Sequence, residues 1–300
     1  MRSFGQSAHF HSMHMFFKIC LKPLRLLPAC IVTLILSAGA GLAQAADNIS
    51  TLRLMVVPQF PSTEINATWG KLVEGLKGQG LPRIELVFPK DINDFESQFL
   101  AGQADLIYCN PYHIVMARKA QGYVPLVRDS KPMSGILIAA NGSDTDSIQS
   151  LNDLNGKTLL FPSPNAFGAS LYMRALLTRE KGLKFTTRYV KTHPNVLRGV
   201  VRNEGQAGGM VNATLAAEPA DLQARVRVIY ETPKTPSHPI AAHPRVSPAM
   251  QEAITKAIIR FINSNQPVGE DIQLPDPVRA NYARDYQPLE KLGLEAFVSN

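Results

Sequence analysis

Asp105-Leu106-Ile107-Tyr108-Cys109-Asn110-Pro111-Tyr112-His113 reads as a strand that runs directly into a helix. After Asp105 the segment is apolar and β-prone through Cys109. Asn110 is a good N-cap, and Pro111 suits the first helical position, where no amide proton is needed. The helix continues through Ile114, Val115, Met116 and Ala117 to a stop at Gly122. A turn of this kind leaves unpaired N–H groups and a partial positive charge at the carboxyl end of a strand. That combination predicts an anion site, at the edge where open α/β sheets hold ligands.

The same unit recurs on both sides. Upstream, a strand is expected at Thr51–Val57 and a helix at Glu64–Lys77, with Ile65, Trp69 and Leu72 on one face. Pro58 to Thr63 forms the loop between them, ending in two candidate N-caps, Ser62 and Thr63. A second strand at Arg83–Phe88 and a helix at Ile92–Ala101 complete the approach to Asp105. Alternation of this kind with short connections predicts a parallel, doubly wound lobe.

Downstream, strands are expected at Tyr123–Asp129 and Ser134–Ala140, with residues 129–136 crossing to a second lobe. That lobe repeats the plan. Strands are expected at Thr158–Phe161, Phe185–Val190, Gly205–Val211 and Arg227–Glu231, and helices at Ala166–Lys181 and Asn195–Asn203. Proline-rich Thr232–Pro244 then crosses back, and Pro248–Asn263 is an amphipathic helix. The expected fold is α/β: two doubly wound lobes joined by two crossing strands. The expected divisions are 46–132 for the first lobe, 133–235 for the second, and 236–300 for the return to the first lobe and the tail.

The first 45 residues differ in kind. They carry Arg2, Lys18, Lys22 and Arg25 without an acid, then an apolar run from Leu26, then Ala43-Gln44-Ala45. This pattern predicts a cleavable secretory signal peptide, residues 1–45, and hence a periplasmic protein. A membrane anchor is the alternative, weakened by the small residues from Ser37 onward. Cleavage would remove four of the 31 basic residues, leaving 27 against 24 acids, so the net charge falls from +7 to +3. No basic run or aromatic stacking platform points to nucleic acid. Cys20 and Cys30 would leave with the signal, so Cys109 would be the one cysteine of the exported protein.

Four stretches carry a family resemblance: Asp94–Tyr112, Ser150–Lys157, Phe161–Gly168 and His193–Val200. In this order they resemble the PhnD-like periplasmic phosphate, phosphite and phosphonate-binding proteins, a type II solute-binding family, over about residues 50–265. The resemblance implies that the lobes close on a small oxyanion and present it to a membrane partner, an ABC permease or a sensor kinase. It implies no cofactor. It carries ligand contacts onto Asn110 and Tyr112 at the first helix start, onto Asn165, Ala166, Phe167 and Gly168 at the second, and onto His193 at the third. It also places contacts near Thr63 and Glu64. This chain departs from the family in two places. The usual serine- and threonine-rich loop reads Pro164-Asn165-Ala166-Phe167-Gly168, and Gly205-Gln206-Ala207-Gly208-Gly209 has no acid.

Cys109 can be read in three ways. It is a small buried hydrophobe; or, beside a helix start that favours the thiolate, a soft ligand for a thiophilic solute such as arsenite; or a nucleophile with His113 or His193 as base. The second reading resembles the periplasmic arsenite-binding sensors found beside arsenite-oxidase genes, and makes Cys109 the arsenic ligand and a histidine kinase the partner. Uptake of phosphonate, phosphite or phosphate through an ABC permease is the alternative in the same scaffold. The chain shows no G-x-S-x-G and no phosphate-cradling glycine loop, so an enzyme is the least supported of the three.

Overall fold

A computed structural model describes residues 50–142 and 148–299. The expected signal peptide lies outside the described residues. The chain forms two mixed sheets, each covered by helices. The first begins with β1 (Thr51–Val56), α1 (Ser62–Gly75), β2 (Arg83–Val87), α2 (Ile92–Leu100), β3 (Leu106–Tyr108), α3 (Pro111–Gln121) and β4 (Val124–Asp129). The second contains β5 (Gly135–Ala140), β6 (Thr158–Phe161), β7 (Thr186–Tyr189), β8 (Ala207–Val211) and β9 (Val226–Glu231). Its helices are α4 (Tyr172–Ala175), the centre of a longer helical run, α5 (His193–Val201), α6 (Asn212–Ala216) and α7 (Ala220–Gln223). The chain then returns to the first sheet with β10 (Pro239–Ala242), α8 (Pro248–Ser264), α9 (Gln266–Asp271) and β11 (Pro277–Arg279).

The opening stretch folds as its sequence dictates. Asn110 caps α3, its Oδ1 accepting from the amides of Tyr112 (3.0 Å) and His113 (2.8 Å). Gly122 closes the helix at φ 78°, a left-handed conformation that costs glycine nothing. The start of α1 differs from expectation. Pro61 occupies its N-cap position and no side chain caps it, so Ser62 and Thr63 are helical residues.

Strand order in the first sheet is β11-β4-β10-β3-β1-β2. β1, β2 and β3 are parallel, but β10 lies antiparallel between β3 and β4. The expected all-parallel lobe is therefore mixed: the returning chain takes the slot that β4 would have filled. The second sheet is ordered β7-β6-β8-β5-β9, with β5 antiparallel to both neighbours. Two connections join the sheets, and they pair through Met133 and Thr235, whose amides donate to each other's carbonyls at 2.8 and 2.9 Å.

Side chains alternate between the two faces of a strand, and in the second sheet both faces are buried. Leu137, Leu159 and Phe161 pack on one face of the second sheet with Met173 and Leu177. Ile136, Ile138 and Leu160 pack on the other with Val196 and Val200. Each such side chain, fully buried, contributes roughly 1.5–3 kcal/mol. The largest core belongs to the first sheet and continues through Phe167, Leu171 and Leu176 of the second lobe's long helix. Helices therefore start at the carboxyl ends of β1, β3, β6, β7 and β8, all facing the space between the sheets.

Candidate functional site

Among the described residues, two spaces between the sheets share part of their walls. One is a cleft of about 660 Å³ whose walls include Glu64, Trp69, Tyr108, Lys131, Asn212 and Gln273. The other is a void of about 10 Å³ lined by Gln59, Ile92, Asn110, Ala166 to Ala169, His193 and His238. They share Val57, Gln59, Val211 and His238 as a common wall. A void of this size holds one water-sized group. The cleft has room for a small organic solute.

The donors around the void differ from one helix start to the next. At α3, both exposed amides are taken by Asn110 Oδ1. At α5, the His193 amide donates to Gln59 O (3.2 Å) and the Asn195 amide to Thr192 Oγ1 (3.4 Å). The expectation that all three helix starts offer free donors is therefore corrected. The third start remains available. The run Phe167–Glu180 opens and closes with π-helical turns, so its first intrahelical bonds come from Ser170 and Leu171 to Ala166 O. The amides of Phe167, Gly168 and Ala169 make no hydrogen bond among the described residues, and these residues line the void. The hydroxyl-poor loop thus presents backbone donors in place of side-chain hydroxyls. Glycine is required here for space: a Cβ on Gly168 would crowd Gly135, and one on Gly135 would overlap the Gly168 carbonyl.

Two histidines complete the void. His193 is buried, and burial lowers its pKa to about 3. His238 is likewise held at about 3, by burial first and then by its proximity to His113 and His193. Both are neutral at pH 7. No lysine, arginine, aspartate or glutamate lines the void. At the cleft's edge, burial and then Glu218 raise the Glu64 pKa, against the pull of Arg198.

Beside the void, a polar network ties the lobes together. Glu96 is buried with Oε1 2.8 Å from His113 Nε2 and Oε2 accepting from Asn165 Nδ2 at 2.7 Å. Asn110 Nδ2 donates to Asn165 O (3.2 Å). The C-terminal tail closes over this network. Asn165 exchanges two hydrogen bonds with the Ser299 backbone (2.7 and 3.0 Å), Arg174 donates to Phe297 O (2.8 Å), and Tyr112 Oη donates to Glu295 (3.2 Å). Replacing Asn165 by alanine strands a buried Glu96 oxygen and releases Ser299. Loss of a buried partner of this kind costs roughly 1–3 kcal/mol. The expected result is a lower melting temperature together with faster hydrogen exchange at residues 294–299; unchanged exchange there would refute the strap.

The sequence-derived candidates divide as follows. Asn110, Ala166, Phe167, Gly168 and His193 line the void together. Asn165 and Tyr112 lie in the interlobe contact, where the Tyr112 ring stacks on Phe167 at 6.2 Å. The phenol of Tyr112, pushed up to about 12 by burial and then Glu295, stays neutral. Glu64 lies on the cleft wall, and Thr63 is exposed and lines neither space. Cys109 is fully buried and lines neither space. Its amide donates to Pro239 O (3.1 Å), and burial alone pushes its thiol well above its usual range. The expectation that the helix start favours a thiolate is not met, because desolvation outweighs the dipole.

Gln59, His238 and Thr214 were not among the candidates. Gln59 follows β1, a position that the rule of strand carboxyl ends marks. His238 and Thr214 have no sequence signal; the crossing segment and the short α6 bring them in.

Comparison with known proteins agrees with this architecture. Residues 54–295 match the family described as the periplasmic phosphonate substrate-binding protein of ABC transporters. A curated relative, the phosphate-import protein PhnD of Mycolicibacterium smegmatis, is 25% identical over 166 residues, and the match spans 52% of either chain. The chain thus covers about half the length of that relative. Among solved structures, PhnD1 of Prochlorococcus marinus in complex with methylphosphonate superposes with a TM-score of 0.72 at 13% identity, covering 82% of this chain and 98% of that one. A binding component of a phosphonate ABC transporter from Pseudomonas aeruginosa gives 0.71 at 13% identity, covering 81% and 85%. No described helix is long and apolar enough to cross a membrane. With two helix-covered sheets around an interlobe cleft and a family match over most of its length, the chain belongs to the periplasmic substrate-binding proteins of the phosphonate ABC transporter family.

Proposed function

We propose that the protein captures a phosphate- or phosphonate-type oxyacid between its lobes and delivers it to an ABC permease. The observation that carries this reading is the void itself. Three unengaged amides, at Phe167, Gly168 and Ala169, meet neutral His193, His238 and Gln59 in a space the size of one oxygen. The solute's remaining bulk extends into the adjoining cleft. Lobe closure of this type is a hinge motion about the paired crossings.

The arsenite reading, with Cys109 as ligand and a sensor kinase as partner, rests on a thiol that lines neither space. Calorimetry separates the two. Purified protein is titrated with inorganic phosphate, phosphite, methylphosphonate and arsenite, and again as Cys109→Ala. The expected outcome is heat from at least one phosphorus oxyacid, with affinity in Cys109→Ala within about twofold. Truncating this small buried side chain removes roughly one heavy-atom contact set and leaves the protein folded. Arsenite heat that disappears in Cys109→Ala, with no response to the phosphorus oxyacids, would overturn the proposal in favour of the sensor.

A further inference from the structure

His193 carries its ring proton on a nitrogen that the structure fixes. Thr214 Oγ1 lies 2.8 Å from Val211 O and 3.2 Å from His193 Nδ1. A carbonyl oxygen only accepts, so the single Thr214 hydroxyl proton goes to Val211 O. The amide of Val211 also donates to Thr214 Oγ1, at 3.3 Å. Toward His193 the Thr214 oxygen is therefore an acceptor, and Nδ1 must carry hydrogen. The ring is neutral, as its burial requires. Nε2 is then a bare acceptor. No hydrogen bond to it is found among the described residues, and the ring is 1% exposed and lines the void.

Residues 167–169 offer the void three free donors, the amides of Phe167, Gly168 and Ala169. No cation lines the void to neutralise a second negative charge. The void, the size of one oxygen, therefore asks two things of that oxygen: to accept from the amides of residues 167–169 and to donate a hydrogen to His193. We propose that the protein selects the protonated form of its oxyacid, a monoanion that donates its hydroxyl to His193 Nε2, over the dianion. The proposal rests on the oxyacid reading above. His193 acts here as a specificity determinant for protonation state.

The groups facing His193 do not compete for this role in the working range. The segment after β1 contributes Gln59, α2 contributes Ile92, the α3 cap contributes Asn110, and α6 contributes Thr214. His238, on the returning segment, is the other titratable side chain on the void's walls. His113 lies behind it, paired with Glu96. No other titratable side chain is among the residues lining the void.

Calorimetry with methylphosphonate across its second ionisation tests this. Affinity is expected to fall about tenfold per pH unit above that ionisation, since one proton is linked to binding. Dimethylphosphinate, a fixed monoanion in which a methyl replaces the hydroxyl, is expected to bind about 10- to 100-fold more weakly than methylphosphonate, with no slope. His193→Asn, whose amide can donate as well as accept, is expected to flatten the methylphosphonate slope. If that variant does not fold, the slope and the phosphinate comparison on the native protein still decide. Methylphosphonate affinity that is flat or rises with pH, or dimethylphosphinate binding equal to it, overturns the proposal alone. Absence of heat from every phosphorus oxyacid at every pH overturns the oxyacid reading and the proposal with it.

Discussion

Replacing Gly209 by alanine is expected to lower the melting temperature by roughly 6–12 °C and to abolish solute binding. Gly209 lies in β8, where a Cβ would fall on the Ala169 carbonyl oxygen and within 2.7–2.8 Å of the Phe161 ring. The carbonyl belongs to backbone at the start of the long helix, so no rotamer change relieves the overlap. Overpacking costs typically 1–3 kcal/mol, and a backbone clash belongs at the upper end. About 3 kcal/mol converts to that shift at 2–4 °C per kcal/mol for a domain of this size. The movement that accommodates the methyl displaces residues 167–169, which supply the free amides. Gly70→Ala is the control. Nothing lies within 4 Å of its Cβ, and its place in α1 predicts a gain of about 0.5–1 kcal/mol. Calorimetric melting of the two variants settles the matter: a Gly209→Ala melting point within 2 °C of the native one would refute the assigned contact.

Acid is expected to remove stability steeply, beginning at pH 6.5. His193 and His238 titrate at about 3 in the folded protein, against 6.5 for an unburied imidazole. Between those values the unfolded chain binds protons that the folded chain refuses. Their contribution is complete above pH 6.5 and is lost as the pH falls toward 3. Each group contributes a slope of about 1.4 kcal/mol per pH unit, so the pair approaches roughly 2.7. Urea unfolding between pH 6 and 5 reads this term together with a contribution from His243, whose pKa burial also lowers, because few carboxylates titrate there. His238→Gln is expected to reduce the slope by about 1.4 kcal/mol per pH unit. An unaltered slope in that variant would show that His238 is not held neutral by the fold.

Much of the architecture was legible because local chemistry and packing agree. Asn110-Pro111 and Gly122 marked both ends of α3, and the continuous apolar runs of β5 and β6 fit strands buried on both faces. The antiparallel insertion of β10 was not legible, since Pro239-Ile240-Ala241-Ala242 carries no information about its neighbours. At the site, residues from the helix starts singled out in the sequence meet around one void, while Cys109 lines neither space. The sequence marked Asn110 as the cap of one start but could not show that Gln59 takes the His193 amide at another. Nor could it show that Thr214 fixes the proton on His193. Both depend on contacts between segments well separated in the chain.

The position of β10 also governs the order of folding. The second sheet is assembled wholly from residues 135–231, whereas the first lacks its central strand until residue 242 has been made. A chain emerging from the ribosome therefore holds an interrupted first sheet through most of its synthesis, and joining β10 to β3 closes a loop of about 130 residues. Contacts of such sequence separation form slowly. The late strand thus delays completion of the N-terminal lobe.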